Sequence, residues 1–238
     1  RGKIRGIVNG IDTNVFNPET DPAIKSHYSK DNVKNKVYDK LALQKSMALD
    51  TSLDVPVIGM VTRFTKQKGF DLFYEVVNQI SDLPMQLVVL GTGAAEYESL
   101  MRSWENNRHD KVRAIIKFST DIASQIYAGA DMFLMPSKSE PCGLSQMIAM
   151  RYGAVPIVHT VGGLVDTVQP YNKETKEGTG ITFQSYNPYD MLDAIKRAID
   201  LYYDKPNWKQ LRKNAMNKDF SWNEPAERYI NMYKELVG

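Results

Sequence analysis

From residue 55 onward, short apolar runs alternate with amphipathic stretches at a spacing that predicts strands over 56–61, 85–90, 113–117, 131–135, 155–159 and, briefly, 180–183. Between the strands, apolar positions recurring every three to four residues predict helices over 70–80, 95–106, 121–129 and 143–152. Strand, helix, strand at this interval is the pattern of a Rossmann-like parallel sheet with helices on both faces, so the fold class is α/β. Such sheets hold their ligands at the carboxyl ends of the strands. The first fifty residues differ in texture. Residues 4–8 predict a further strand, Asn9-Gly10-Ile11-Asp12 a turn, 17–22 a loop, and 36–47 a helix after a polar excursion. A helical carboxyl-terminal tail follows the sheet pattern, with helices over 187–203, 208–218 and 223–236 and breaks at Pro206 and Ser221. In the last of these, Tyr229, Met232, Tyr233 and Leu236 form an apolar stripe that needs a surface to cover, either this domain's own sheet or a domain outside the chain.

Composition changes this picture little. The 238 residues are 42% hydrophobic, enough for a substantial core. Lys and Arg total 30 against 28 for Asp and Glu, so no global charge favours nucleic acid or an anionic membrane, and any cationic site must be local. Cys142 is the single cysteine, which excludes an intrachain disulfide and a cysteine zinc cluster, and three scattered histidines argue against a metal centre. No apolar run is long enough to span a bilayer, and Arg1-Gly2-Lys3-Ile4-Arg5 lacks the apolar core of a signal peptide. The expected compartment is the cytosol or an organelle stroma. A chain without an initiator methionine, whose first predicted strand begins at residue 4, reads as a piece of something longer.

Candidate chemistry falls in the strand-to-helix loops. After the strand over 131–135 comes Ser139-Glu140-Pro141-Cys142-Gly143-Leu144-Ser145-Gln146, which puts a carboxylate at the carboxyl end of the sheet and a glycine at the start of a helix. Glu140 either flanks the helix start, where the macrodipole favours it by about 0.3 to 1 kcal/mol, or accepts hydrogen bonds from sugar hydroxyls. In the second case the amides of Gly143, Leu144 and Ser145 meet phosphate oxygens. Cys142 is either a small buried hydrophobe or a thiol beside ligand. After the strand over 56–61, Arg63 and Lys68 occupy a loop closed by Gly69. They form either a solvated basic loop with Lys66 or a diphosphate clamp, in which each charge-assisted hydrogen bond contributes roughly 1.5 to 3 kcal/mol. Gly91-Thr92-Gly93-Ala94-Ala95-Glu96 invites a dinucleotide reading, but Glu96 stands where a third small residue is needed and the strand before it is interior. Gly162-Gly163 in the turn after His159 requires only a close backbone approach. His27 and His109 lie in polar segments and read as surface residues.

Taken in order, these segments resemble the bacterial glycogen synthases and plant starch synthases. The matching pieces are Asn9-Gly10-Ile11-Asp12-Thr13, Asn17-Pro18, Arg63 with Gln67-Lys68-Gly69, Leu90-Gly91-Thr92-Gly93, Gly129-Ala130-Asp131, Pro136-Ser137, Glu140-Pro141-Cys142-Gly143-Leu144, the run from Thr160 to Val168, and Asp219-Phe220-Ser221-Trp222. The resemblance implies one half of a GT-B glycosyltransferase, two Rossmann-like domains with the active site in the cleft between them. Residues 1–238 are similar to the carboxyl-terminal, donor-binding domain, with 205–238 as terminal helices and the last crossing to an absent amino-terminal domain. By that likeness Arg63 and Lys68 hold the diphosphate of ADP-glucose and Glu140 bonds the glucose ring. Cys142, Gly143, Leu144 and Ser145 complete the donor pocket, and Phe118 stands beside the adenine.

The same resemblance implies transfer of glucose to the non-reducing end of an α-1,4-glucan with retention of configuration, without metal or other cofactor, in a bacterial cytoplasm or a plastid stroma. The family's lysine-and-two-glycine motif and its acceptor-side histidine are not in this sequence, so the expectation is donor binding without turnover. Two alternatives stand beside it: a glucan-binding scaffold in which Trp104, Trp208 and Trp222 stack on sugars, although buried anchoring is the commoner role of such residues, and a retaining GT-B enzyme using UDP- or GDP-sugars.

Overall fold

A computed structural model describes residues 5–237. Among them, six strands form one parallel sheet: β1 Val57–Val61, β2 Gln86–Gly91, β3 Val112–Ile116, β4 Met132–Met135, β5 Val155–His159 and β6 Ile181–Phe183. The strand order is β3-β2-β1-β4-β5-β6. The chain therefore winds outward from β1 in one direction, returns, and winds outward from β4 in the other. The loops after β1 and β4 diverge at this reversal and leave a crevice at the carboxyl ends of the two strands.

Nine α-helices accompany the sheet among the described residues: α1 Lys36–Ser46, α2 Phe73–Ser81, α3 Ala95–Asn107, α4 Thr120–Gly129, α5 Ser145–Arg151, α6 Gly163–Thr167, α7 Pro188–Tyr203, α8 Lys205–Met216 and α9 Asn223–Val237. Two apolar cores result. Ile58 and Met60 of β1 face Phe73 and Val76 of α2, Trp104 of α3 and Ile195 of α7, while Val57 faces the side holding Leu43 of α1, Ile126 of α4 and Met147 of α5. Successive residues of one strand serve opposite layers, which is why these strands read as continuous apolar runs rather than alternating ones.

The segment before β1 is fastened to the amino end of the sheet by buried polar contacts. Lys40 pairs with Asp131 at 2.8 Å and donates to the Tyr202 hydroxyl, and Asp131 also accepts from the Val57 amide. Lys36, buried beneath α4, donates to the carbonyls of Tyr127 and Ala128, and burial holds its pKa down at about 7. Tyr28 donates to Tyr152 O and the Tyr152 hydroxyl to Asp21.

Several expectations change. Of the strand expected over 4–8, Ile4 lies outside the described residues and 5–8 have no strand pairing. The helix expected from residue 70 begins as a 3-10 turn, Phe70–Leu72, before α2, because Gly69 enters it with φ +85°. The helix expected from residue 143 starts at Ser145, since Gly143 has φ +73° and cannot open it. Pro206 does not break the chain ahead of α8. It sits in the helix's first turn, where a missing amide hydrogen costs nothing, behind an Asp204 cap that accepts from the Asn207 amide. The stripe on α9 does not cover the sheet: Tyr233 and Leu236 are exposed and Tyr229 and Met232 half-buried, and the helix is tied to Gly6 O by Arg228 and to Arg5 by Glu235. Trp104 and Trp208 are core residues, 3% and 4% exposed, so only Trp222 of the three tryptophans offers a face to solvent.

Candidate functional site

The loop after β1 carries Thr62, Arg63, the buried Phe64, a 3-10 turn Lys66–Lys68, and Gly69. A side chain at Gly69 would put its Cβ 2.2 Å from Pro136 O, so glycine here lets the loop close against the end of β4. Lys138 then donates its amide to Gln67 O at 2.8 Å, joining the loops after β1 and β4.

This junction brings Lys68 and Glu140 into direct contact. The Lys68 Nζ lies 2.5 Å from Glu140 Oε2, and the Ser137 hydroxyl donates to the same oxygen at 3.1 Å. Their side chains are 17% and 8% exposed, so the pair is mostly out of water. The sequence reading set a free cation on one loop and a free carboxylate on the other; the structure instead pairs them. Glu140 is thereby turned away from capping the following helix. Its backbone is held as well: Gly163 donates to Glu140 O at 3.0 Å, and a Cβ at Gly162, whose φ is +52°, would meet that oxygen at 2.1 Å. The glycine pair after β5 therefore serves the loop of Glu140.

The predicted site residues divide between two adjoining depressions that share Val61 and Thr62. Lys68, Glu140, Gly143, Leu144 and Ser145 line a recess of about 50 Å³. Arg63 and Phe118 line a groove of about 540 Å³ across the carboxyl ends of β1, β2 and β3, whose far wall includes Val15 and Phe16. Phe118 is 88% exposed, the most exposed of the large hydrophobic side chains among the described residues. Arg63 is exposed and has no ion-pair partner among the described residues. Cys142 lines neither depression; it is half-buried with its sulfur 3.6 Å from Gly143 O.

Around the start of α5, the amides of Gly143, Leu144 and Ser145 meet no acceptor among the described residues. They are oriented hydrogen-bond donors at a helix start beside the recess, suited to an anionic oxygen. Gln146 fixes this turn. Fully buried, its Nε2 donates to Gly143 O and the Thr167 hydroxyl, with Cys142 O 3.2 Å away. Ser137 and Gln146 lie in the motifs named from sequence but received no role there, because they act on other site residues; for Gln146 the available signal was a polar residue on the apolar face of a predicted helix. The Gly91–Gly93 turn supports the rejection of a dinucleotide fingerprint. Phe64 donates to Thr92 O, Ala94 donates to Phe64 O, and a Cβ on Gly91 would lie 1.8 Å from Thr62 O, so the close approach is to another loop of the same chain. Among the described residues no group of three or more His, Cys, Asp or Glu is placed to hold a metal, and no helix is long and apolar enough to cross a membrane.

Comparison with known proteins follows the same lines. Residues 45–218 match the family model described as glycosyl transferases group 1. The chain is 50% identical over 237 residues to a glycogen synthase of Streptococcus mutans serotype c, covering 99% of this chain and 50% of that protein. A glycogen synthase of Bacillus cereus is 49% identical over 236 residues with the same coverage. The chain thus spans about half the length of the curated relatives it matches. Among solved structures, the catalytic domain of Starch Synthase IV from Arabidopsis thaliana bound to ADP and acarbose superposes with a TM-score of 0.89 at 35% identity, over 95% of this chain and 48% of that one.

Proposed function

The chain belongs to the glycosyl transferases group 1 family, and from that premise we propose that it is the donor-binding half of a retaining glucosyltransferase. The whole enzyme uses ADP-glucose and extends the non-reducing end of an α-1,4-glucan. The observation that carries this reading is the placement, along the carboxyl ends of the parallel strands, of an unpaired arginine, an exposed aromatic ring and a lysine–carboxylate pair around two adjoining depressions. A flat base lies against Phe118, the diphosphate spans from Arg63 toward Lys68 and the amides of Gly143 to Ser145, and the sugar reaches Glu140 in the recess. ADP in the Arabidopsis starch synthase supports an adenine nucleotide over the UDP- or GDP-sugar alternative.

In this reaction the bond between the glucose C1 and the diphosphate oxygen breaks. The acceptor hydroxyl forms its bond to C1 on the same face and gives its proton to the departing diphosphate oxygen, so ADP leaves with the electron pair of the broken C1–O bond and that proton. Arg63 and Lys68 stabilise the charge that grows on the departing diphosphate, the part a metal ion plays elsewhere. Glu140 accepts hydrogen bonds from sugar hydroxyls. As Lys68 turns toward phosphate, those hydroxyls take its place beside Ser137, which already donates to the carboxylate, so Glu140 is never left bare. The acceptor glucan is bound by the half absent from this chain, and the exposed stripe of α9 is the face that crosses to it. Residues 1–238 then act as one nucleotide-sugar-binding domain, binding donor without turnover, and the protein works in a bacterial cytoplasm or plastid stroma. The scaffold alternative is weakened by the burial of Trp104 and Trp208.

Calorimetric titration of the chain with ADP-glucose, ADP and UDP-glucose tests the reading, with Arg63→Ala as the control. Saturable binding that prefers adenine nucleotides and weakens in the variant is the expected result. Absence of binding at millimolar ADP, or equal affinity in Arg63→Ala, overturns it.

A further inference from the structure

Behind the Lys68–Glu140 pair lies a second layer that the proposed reaction does not use. His159, the last residue of β5, is 7% exposed and sits between the rings of Phe183 and Tyr186, with centroids 5.4 and 5.5 Å away. Its Nδ1 is 2.8 Å from Ser137 O and its Nε2 is 3.1 Å from Gln184 O. Backbone carbonyls only accept, so both contacts are hydrogen bonds only when each ring nitrogen carries a hydrogen. Ser137 is the residue whose hydroxyl donates to Glu140. Tyr186, on the neighbouring loop, donates its one hydroxyl hydrogen to Asp71 Oδ1 at 2.5 Å, and its oxygen lies 3.1 Å from the carbonyl oxygen of Lys66, the residue that opens the turn ending in Lys68. The Lys138 ammonium lies 5.6 Å from the Tyr186 ring centroid.

We propose that His159 and Tyr186 form a brace that sets the distance between the lysine-bearing and carboxylate-bearing loops. His159 holds the Glu140 loop through Ser137 O, Tyr186 holds the Lys68 turn through Asp71, three residues beyond Lys68, and the two rings pack against each other. Both are positioning residues, since neither lines the recess or the groove. The functional consequence rests on the donor-site reading above; the brace itself does not.

Amide hydrogen exchange of the chain tests it without ligand, because the Lys138 amide donates across the two loops to Gln67 O. In His159→Asn the side-chain amide stands where Nδ1 stood and keeps the link to Ser137 O, whereas in His159→Gln it stands where Nε2 stood and keeps only the link to Gln184 O. Exchange at Lys138 is expected to be near the parent rate in His159→Asn and about fivefold faster in His159→Gln, a factor set by one lost hydrogen bond, with amides of β1 and β2 unchanged in both. Equal exchange at Lys138 in the two variants overturns the brace, because a ring that only fills space would favour the larger Gln. Tyr186→Phe keeps the ring and removes the hydroxyl, and should speed exchange at Gly69, whose amide donates to Lys66 O; an unchanged rate there overturns the role of Tyr186. Donor titration of His159→Gln should show weaker ADP-glucose binding than His159→Asn. If the unsubstituted chain binds no adenine nucleotide, the donor-site reading fails, while the exchange rates still decide the brace.

Discussion

Replacing Lys68 strands a buried carboxylate, and that consequence can be measured apart from any ligand. With Lys68→Met, Glu140 keeps an 8% exposed side chain and one remaining donor, the Ser137 hydroxyl. Breaking a fully buried pair by removing one partner costs about 3 to 5 kcal/mol. Lys68 is 17% exposed, so water reaches the gap and screening reduces the figure to roughly 2 to 3 kcal/mol. Glu140→Gln is milder, at about 0.5 to 1.5 kcal/mol, since the lysine it releases can turn to solvent and a neutral amide still accepts from Ser137. The double variant leaves no charge unpaired and should cost about 1 kcal/mol, less than the two single changes together, for a coupling of at least about 1.5 kcal/mol. Urea unfolding of the four proteins, compared at constant m, reads this out. Additivity within about 0.5 kcal/mol would refute the claim that the two side chains depend on one another. The same reasoning makes Arg63, exposed and unpaired, the cleaner probe of donor binding, since its loss disturbs no buried partner.

Two further outcomes follow from the geometry. Phe118→Ala should weaken adenine-nucleotide binding by about 1 to 3 kcal/mol, the worth of one base on an aromatic ring, yet leave the urea midpoint unchanged because the ring is 88% exposed; calorimetry beside unfolding checks both halves. Lys36 carries a pKa held down at about 7 by burial, while its unfolded value is the ordinary 10.5, so between those values the unfolded chain binds more protons. Stability should therefore rise from pH 7 to 9, by up to about 1.4 kcal/mol per pH unit from this group, and Lys36→Met should flatten the rise in pH-dependent urea unfolding.

Much of the scaffold is written in local patterns. A strand buried on both faces needs an apolar run, and a helix against it needs apolar positions at a 3.6-residue period, so each core strand and most helices were legible without tertiary knowledge. Glycine and charge in the strand-to-helix loops likewise marked where Arg63, Lys68 and Glu140 would gather. Local pattern misjudged the places where another part of the chain sets the conformation. Gly143 looked like a helix start because it precedes an apolar period, but its left-handed φ delays the helix to Ser145. Trp104, by contrast, shares a helical stripe with Tyr97 and Met101, and Trp208 with Leu211 and Ala215, so their burial was legible from the helical period.

What the sequence determined by itself is the set of elements and the side chains at the strand ends, because period and residue type act over a few positions. What only the tertiary structure decided is which of those side chains meet. Lys68 and Glu140 are seventy-two residues apart, and their pairing follows from β1 and β4 lying side by side at the sheet's reversal. His159, Ser137 and Tyr186 come together for the same reason, and no spacing along the chain records a contact made by strand order.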